Sequence, residues 1–316
     1  MSGDDVVKFA MPFFKKTLSL LCAVFSINTF AVEFAAIDAK YLYEVVDDNK
    51  SIAYIFGSSH AGLDLTEVRL SQCVKNIMPR VDEIYLEMDQ IALYRHMVSV
   101  GKFMPVAYIE KYIDSDILQS ILSSLYGPDE KDYINKWRLL DARNLLLYFQ
   151  QKIPSPDEVM YGSNFGLDVE VRMIARYLNK NLMFIELPEE QVRFFKQVPP
   201  KIYAEALVSA FNLTNNPEAA KKYYEDNNLT LSATAEGAES LLLKLINDDP
   251  FYEMNNRTIT ARNPSLASKI EEAVFQSKKS KKTSAFIALG AMHLPGPEGV
   301  PQLLAAKGYS VKRICQ

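Results

Sequence analysis

Two of the three histidines in the chain share one local setting. Tyr54-Ile55-Phe56-Gly57-Ser58-Ser59-His60 and Ile287-Ala288-Leu289-Gly290-Ala291-Met292-His293 each read as an apolar strand followed by Gly-x-x-His. The glycine permits a sharp turn that aims the loop back over the strand end. Glu87, closing Glu83-Ile84-Tyr85-Leu86, and Glu186, closing Leu182-Met183-Phe184-Ile185, take comparable places on two other apolar runs. A carboxylate there is costly to bury unless it is paired, hydrogen-bonded or bound to metal. Two imidazoles with one or two carboxylates at adjacent strand ends would make a divalent metal site with room for water. Such an ion acidifies its water and polarises a carbonyl, which is what hydrolysis requires.

Each residue also has a local reading. A histidine after a strand is commonly bonded to backbone; Glu87 can cap a helix or pair with an arginine, and Glu186 can face the N-terminus of a helix opened by Pro188. Asp168 reads as an N-cap for a helix over Val169–Leu178, and Asn263 before Pro264 has the same cap reading. Arg262 is either a surface charge or a donor that orients an anion. His96, in Leu93-Tyr94-Arg95-His96-Met97, has no motif and reads as structural. The sequence contains no Gly-x-Ser-x-Gly elbow, Walker A loop, His-Glu-x-x-His helix or dinucleotide fingerprint.

The elements that must position these residues are short apolar runs alternating with helical patterns, the signature of an α/β fold with a mainly parallel central sheet flanked by helices. The clearest strands are Ile52–Phe56, Glu83–Glu87, Leu182–Ile185, Ser284–Leu289 and Ser310–Cys315. Leu70, Val74 and Ile77 share a helical face before Pro79, and Val171, Ile174, Ala175 and Leu178 repeat the spacing. About 90–165 and again about 190–260 the chain reads as helical insertions rich in Tyr, Phe and Leu. In an open α/β sheet, ligands bind outside the carboxyl ends of the strands, where both Gly-x-x-His loops would project.

Residues 1–31 read as a secretory signal peptide, with Lys15 and Lys16 before an apolar run and cleavage after Ala31. Asp4 and Asp5 sit badly in a positive leader, which makes Met11 an alternative start. An uncleaved signal that anchors the protein to the membrane is the other reading, although the run is shorter than the ~20 residues of a spanning helix. Cleavage would leave residues 32–316 as a single domain, exported to the periplasm or secreted, without a stable membrane span. The 316 residues carry a formal charge of -4, and residues 1–31 contribute three Lys and two Asp, so the mature chain is acidic. Nothing in that balance attracts a phosphate backbone, and nucleic acid is excluded as a partner. The run Lys278, Lys279, Lys281 and Lys282 reads as a solvated turn. Cys73 and Cys315 remain after cleavage, either as a disulfide or as two buried thiols.

Taken together these segments resemble the TraB/GumN family, which also includes PrgY and the animal Tiki proteins. The resemblance rests on Phe56-Gly57-Ser58-Ser59-His60, the Glu87 strand, Gly166-Leu167-Asp168, Ile185-Glu186-Leu187-Pro188-Glu189-Glu190-Gln191, Arg262-Asn263 and Leu289-Gly290-Ala291-Met292-His293-Leu294-Pro295-Gly296-Pro297-Glu298-Gly299. It implies a fold related to the erythromycin-esterase (EreA) and ChaN-like group and, through the Tiki branch, metal-dependent peptidase activity with a manganese- or cobalt-type ion. Carried over, His60, Glu87 and His293 become the catalytic and metal group, with Glu186 as a further ligand. Arg262, Asn263 and Asp168 line the same site toward the substrate. Leu187 departs from the threonine common at its position. The expected function is an exported metal-dependent hydrolase acting on a peptide. The alternative is a non-catalytic periplasmic protein that sequesters a peptide or small ligand.

Overall fold

The computed structural model describes residues 37–59, 68–101, 104–127, 133–138, 140–154, 166–276 and 283–315. The expected signal peptide, His60 and the lysine run at 278–282 lie outside the described residues. Among the described residues the eight strands are β1 Ile37–Ala39, β2 Leu42–Val46, β3 Ile52–Ser58, β4 Val68–Leu70, β5 Glu83–Leu86, β6 Leu182–Phe184, β7 Ser284–Gly290 and β8 Ser310–Ile314. Six of them form one sheet in the order β6-β5-β7-β3-β2-β8, and β1 and β4 pair separately.

The sheet is mixed. The pairings β5 with β6, β5 with β7 and β3 with β7 are parallel, whereas β2 runs antiparallel to both β3 and β8. The expectation of a mainly parallel sheet therefore holds for the pairings from β6 to β3 and not for β2 with its two neighbours. The difference lies in β2, whose short turn over Asp47–Lys50 returns the chain directly to β3 as a hairpin, a connection available only to antiparallel neighbours.

The two-residue period of the strands divides the core. Ile55, Ala285, Ile287 and Leu289 face a layer with Leu266, Ile270, Val300 and Leu304, while Phe56, Ile84, Phe286 and Ala288 face Val74, Met78, Val171 and Ala175. Both faces are thus covered by helices, and the apolar runs are continuous because neither face meets water.

The described parts of the insertions are helical. Helices Gln90–Val100, Ser115–Tyr126, Tyr133–Arg138 and Ala142–Lys152 follow β5, and Pro188–Gln197, Pro200–Asn215, Pro217–Glu236, Glu239–Asp248 and Tyr252–Thr258 follow β6. Of these, Ser115–Tyr126, Tyr133–Arg138, Ala142–Lys152, Pro200–Asn215, Pro217–Glu236 and Tyr252–Thr258 share an apolar core around Trp137, Phe149, Tyr203 and Leu207. Among the described residues, no helix is long and apolar enough to cross a membrane.

Cys73, at the start of helix Gln72–Ile77, is bonded to Cys315 just past β8, with 5.7 Å between the Cα atoms. The bridge closes a span of 242 residues and ties one end of the chain to the layer that covers Phe56 and Phe286.

Candidate active site

Parallel registration places the ends of β5, β7 and β3 side by side: Leu86 lies opposite Ala288, and Ser58 opposite Gly290. Pairing continues past β6, with Ile185 N–H donating to Leu86 O at 3.0 Å and Glu186 N–H to Glu87 O at 2.8 Å. Glu87, Glu186 and His293 are thereby brought to one edge and are 2%, 1% and 3% exposed. Arg262 closes the turn Thr260–Arg262 after helix Tyr252–Thr258, and its side chain enters from the second helical insertion, 2% exposed.

The guanidinium organises the cluster. Arg262 Nη2 is hydrogen-bonded to Glu87 Oε1, lies 3.1 Å from Glu186 Oε2 and 3.3 Å from His293 Nε2, and Nη1 donates to Thr258 O at 3.2 Å. Glu87 Oε2 accepts Gly290 N–H at 2.8 Å. The Glu186 contact is a charge contact without hydrogen-bond alignment, and Arg262 Nε has no acceptor among the described residues. Burial raises the Glu186 carboxyl from the ordinary 4.5 to about 7; Arg262 opposes the rise and Glu87 adds to it.

His293 is oriented from behind. Its Nδ1 is 2.6 Å from Asn263 Oδ1, and Asn263 Nδ2 donates to Glu298 O at 2.8 Å. The second bond fixes which end of the amide is the acceptor, so Nδ1 carries the proton and the Nε2 lone pair points to Arg262 and to Glu87 Oε1, 3.5 Å away. Gly296, at φ 77°, supplies the left-handed position in the loop that returns Glu298 O to Asn263.

A cavity of about 1080 Å³ opens between the strand ends and the helical insertions. Glu87, Arg262 and His293 are on its wall, as are Ser58 and Ser59 at the end of β3, whereas Glu186 and Asn263 stand behind that wall. The volume is at the upper end for ligand pockets, enough for an oligomeric ligand rather than a single small group.

Several sequence expectations land differently. Asp168 is not the N-cap. Gly166 holds that place for helix Leu167–Tyr177, and Asp168 in the first turn accepts the Ser58 hydroxyl, which draws its carboxylate toward β3 and away from its own helix end. Asn263 is not an N-cap: it is the first residue of helix Asn263–Ile270, and its side chain is bonded to His293 Nδ1 and Glu298 O. Neither Gly57 nor Gly290 has a left-handed backbone. At Gly57 a Cβ would meet the Tyr41 ring at 2.5 Å, so the glycine there serves a close approach and not a turn. His96 is half-buried on helix Gln90–Val100, 3.8 Å from Glu189 and away from the cavity wall. Gln191, Thr258 and the Gly290 amide join the site without having been singled out. Gln191 had only its place in the Glu186 motif as a signal.

The expected divalent ion would have to share these donors with Arg262. The point within reach of Glu87, Glu186 and His293 together is held by Arg262 Nη2, and among the described residues no group of three or more His, Cys, Asp and Glu side chains forms a cation site. Among the described residues these donors are gathered around a guanidinium. His60, the fourth member of the expected set, lies outside the described residues.

The model of the TraB/PrgY/gumN family matches residues 41–313. The chain belongs to this family. The match runs from the residue before β2 to the penultimate residue of β8 and includes every member of the cluster described above. No curated protein and no solved structure matches the chain.

Proposed function

We propose that this member of the family is an exported hydrolase of peptides whose reacting bond sits at the cavity wall formed by His293, Arg262 and Glu87. The observation that carries the reading is the Glu298–Asn263–His293 chain, which presents a fixed Nε2 lone pair beside a guanidinium at the wall of a large cavity. Orienting a base through its second nitrogen is how an imidazole is made to act on one partner only.

In this reading the ligand carbonyl takes a guanidinium hydrogen bond from Arg262, which stabilises the oxyanion as it forms. His293 Nε2 removes a proton from water as the oxygen adds to the carbonyl carbon. Glu87 Oε1 lies close enough to support the imidazolium. When the carbon–nitrogen bond breaks, Nε2 returns that proton to the leaving amine, so one water is consumed and the imidazole is regenerated. Glu186 acts behind the wall, setting the charge that Arg262 faces. No step draws on a metal ion. Export is supported by the Cys73–Cys315 bridge, since disulfides persist in oxidising compartments.

The test is incubation of the protein and of its His293→Ala variant with a mixed-sequence peptide pool, read by mass spectrometry. Cleavage by the native protein that the variant loses supports hydrolysis. Peptides retained stoichiometrically by both proteins and never cleaved would favour the sequestering alternative and overturn it.

A further inference from the structure

The end of β3 puts two hydroxyls on the cavity wall, Ser58 and Ser59, and helix Leu167–Tyr177 has already assigned half of what each can do. A serine hydroxyl has one hydrogen to donate and two lone pairs with which to accept. Ser58 is 1% exposed, and its Oγ gives that hydrogen to Asp168 Oδ1, which stands behind the wall in the first turn of the helix. Toward the cavity Ser58 can therefore only accept. Ser59 is committed in the opposite sense. Its Oγ accepts the Leu167 N–H at 3.4 Å, and its backbone oxygen accepts the Asp168 N–H at 3.4 Å. Among the described residues no acceptor takes the Ser59 hydroxyl hydrogen, which leaves it to donate into the cavity. Three bonds to one helical turn hold the pair in place.

An acceptor and a donor on adjacent residues match a peptide backbone, which offers one N–H and one C=O per residue. We propose that Ser58 and Ser59 clamp the backbone of the peptide ligand, Ser58 Oγ accepting a ligand N–H and Ser59 Oγ donating to a ligand carbonyl. The strand register gives the clamp its place. Ser58 lies opposite Gly290 in the parallel pair of β3 and β7, and the Gly290 N–H donates to Glu87 Oε2 at 2.8 Å. His293 belongs to the turn Ala291–His293 that follows at once. Clamp and reacting wall thus rise from neighbouring strand ends, one strand spacing of ~4.8 Å apart at the backbone. Asp168 is a positioning residue, because holding the Ser58 hydrogen is what makes that oxygen an acceptor. The clamp rests on the peptide reading above and deepens it: both contacts go to backbone groups, so the clamp selects a peptide without selecting a side chain.

The probe is a mixed-sequence hexapeptide pool set against a pool of the same side chains in which every backbone N–H is replaced by an ester oxygen, so that register along the ligand cannot matter. Retention is read by equilibrium dialysis on His293→Ala, where the reading above removes turnover, and cleavage of the amide pool is read separately on the native protein. His293→Ala should hold the amide pool above the ester pool, and adding Ser58→Ala should shrink that ratio about 10-fold, the size of one hydrogen bond lost with its partner left unpaired. The two pools are compared on the same protein, so a lower folded fraction cancels, and a purely structural Ser58–Asp168 bond would leave the ratio unmoved. Ser59→Ala keeps that bond and should lower retention of both pools about 5-fold. Equal retention of the two pools, or a ratio that Ser58→Ala does not change, overturns the acceptor; retention unchanged by Ser59→Ala overturns the donor. A ratio set by Ser58 without cleavage by the native protein would leave the clamp standing and defeat hydrolysis, whereas cleavage with no such ratio would do the reverse.

Discussion

Replacing Glu186 with glutamine should make the protein more stable at pH 8 and leave it little changed at pH 4.5. Burial raises the Glu186 carboxyl from 4.5 to about 7, with Arg262 opposing the rise and Glu87, Lys269 and Glu190 acting on it more weakly. Between those values the folded protein keeps a proton that the unfolded chain releases, so stability falls as pH rises through the window. The fall covers about 2.5 units at ~1.4 kcal/mol each, or about 3 kcal/mol, and is complete above pH 7. Glutamine has the same shape and no charge to bury, so the fall disappears in the variant. With a urea slope near 3 kcal/mol per molar, the variant midpoint should exceed the native one by about 1 M at pH 8 and converge with it below pH 5. A midpoint difference that does not change with pH would refute the placement of this carboxyl. A variant less stable at pH 8 would mean that Arg262 holds the ionised form more strongly than burial resists it.

Three further outcomes follow from the same contacts. Cys73→Ala combined with Cys315→Ala should lower stability by up to about 5 kcal/mol in the chain-entropy account of a loop this long, read as a denaturant midpoint that matches the reduced native protein; an unchanged midpoint would contradict the bridge. Asn263→Ala frees the imidazole to rotate and change tautomer, and should cost ~10²-fold or more in kcat with a smaller change in KM; a loss confined to KM would return Asn263 to ligand binding. Arg262→Met leaves Glu87 and Glu186 buried without their shared cation and should destabilise the protein by ~3–5 kcal/mol at pH 8, and by less at pH 5, where Glu186 is protonated; equal losses at both pH values would show the two carboxylates to be uncoupled.

Much of the positioning was legible in the residues. β3, β5, β6 and β7 coincide with apolar runs because a sheet covered on both faces needs apolar side chains at consecutive positions, whereas the edge strand β8 keeps Ser310 and Lys312 exposed. Glu87 and Glu186 converge because each closes such a run, and His293 joins them from the turn Ala291–His293 just past β7, all three at the strand-end crevice. Strand β2 was not legible. Leu42–Val46 is short, and owes its strand state to β3 and β8 on either side. The three-residue strands β1 and β4 carry too few residues to show a period.

What no spacing could show is how the cluster is wired. Arg262 comes from a helix end 175 positions from Glu87, and its place among the carboxylates depends on how the second insertion folds over the sheet. Asn263 looked like a cap because it precedes Pro264, and only the return of the 294–299 loop gives it Glu298 O and His293 as partners. Gln191 had no property of its own to mark it; its significance is that the helix buries its amide oxygen at a cavity wall. The pairing of Cys73 with Cys315 likewise depends on β8 closing against the layer of helix Gln72–Ile77.

The most direct test is cleavage in ¹⁸O-labelled water with a strong chelator present, comparing the native protein with His293→Ala on the same peptide pool. Hydrolysis by the residues of this cluster predicts one ¹⁸O in each new carboxyl terminus made by the native protein, undiminished by the chelator, and none from the variant. Cleavage that stops on chelation and returns with added metal, or labelled products made equally by His293→Ala, would contradict it.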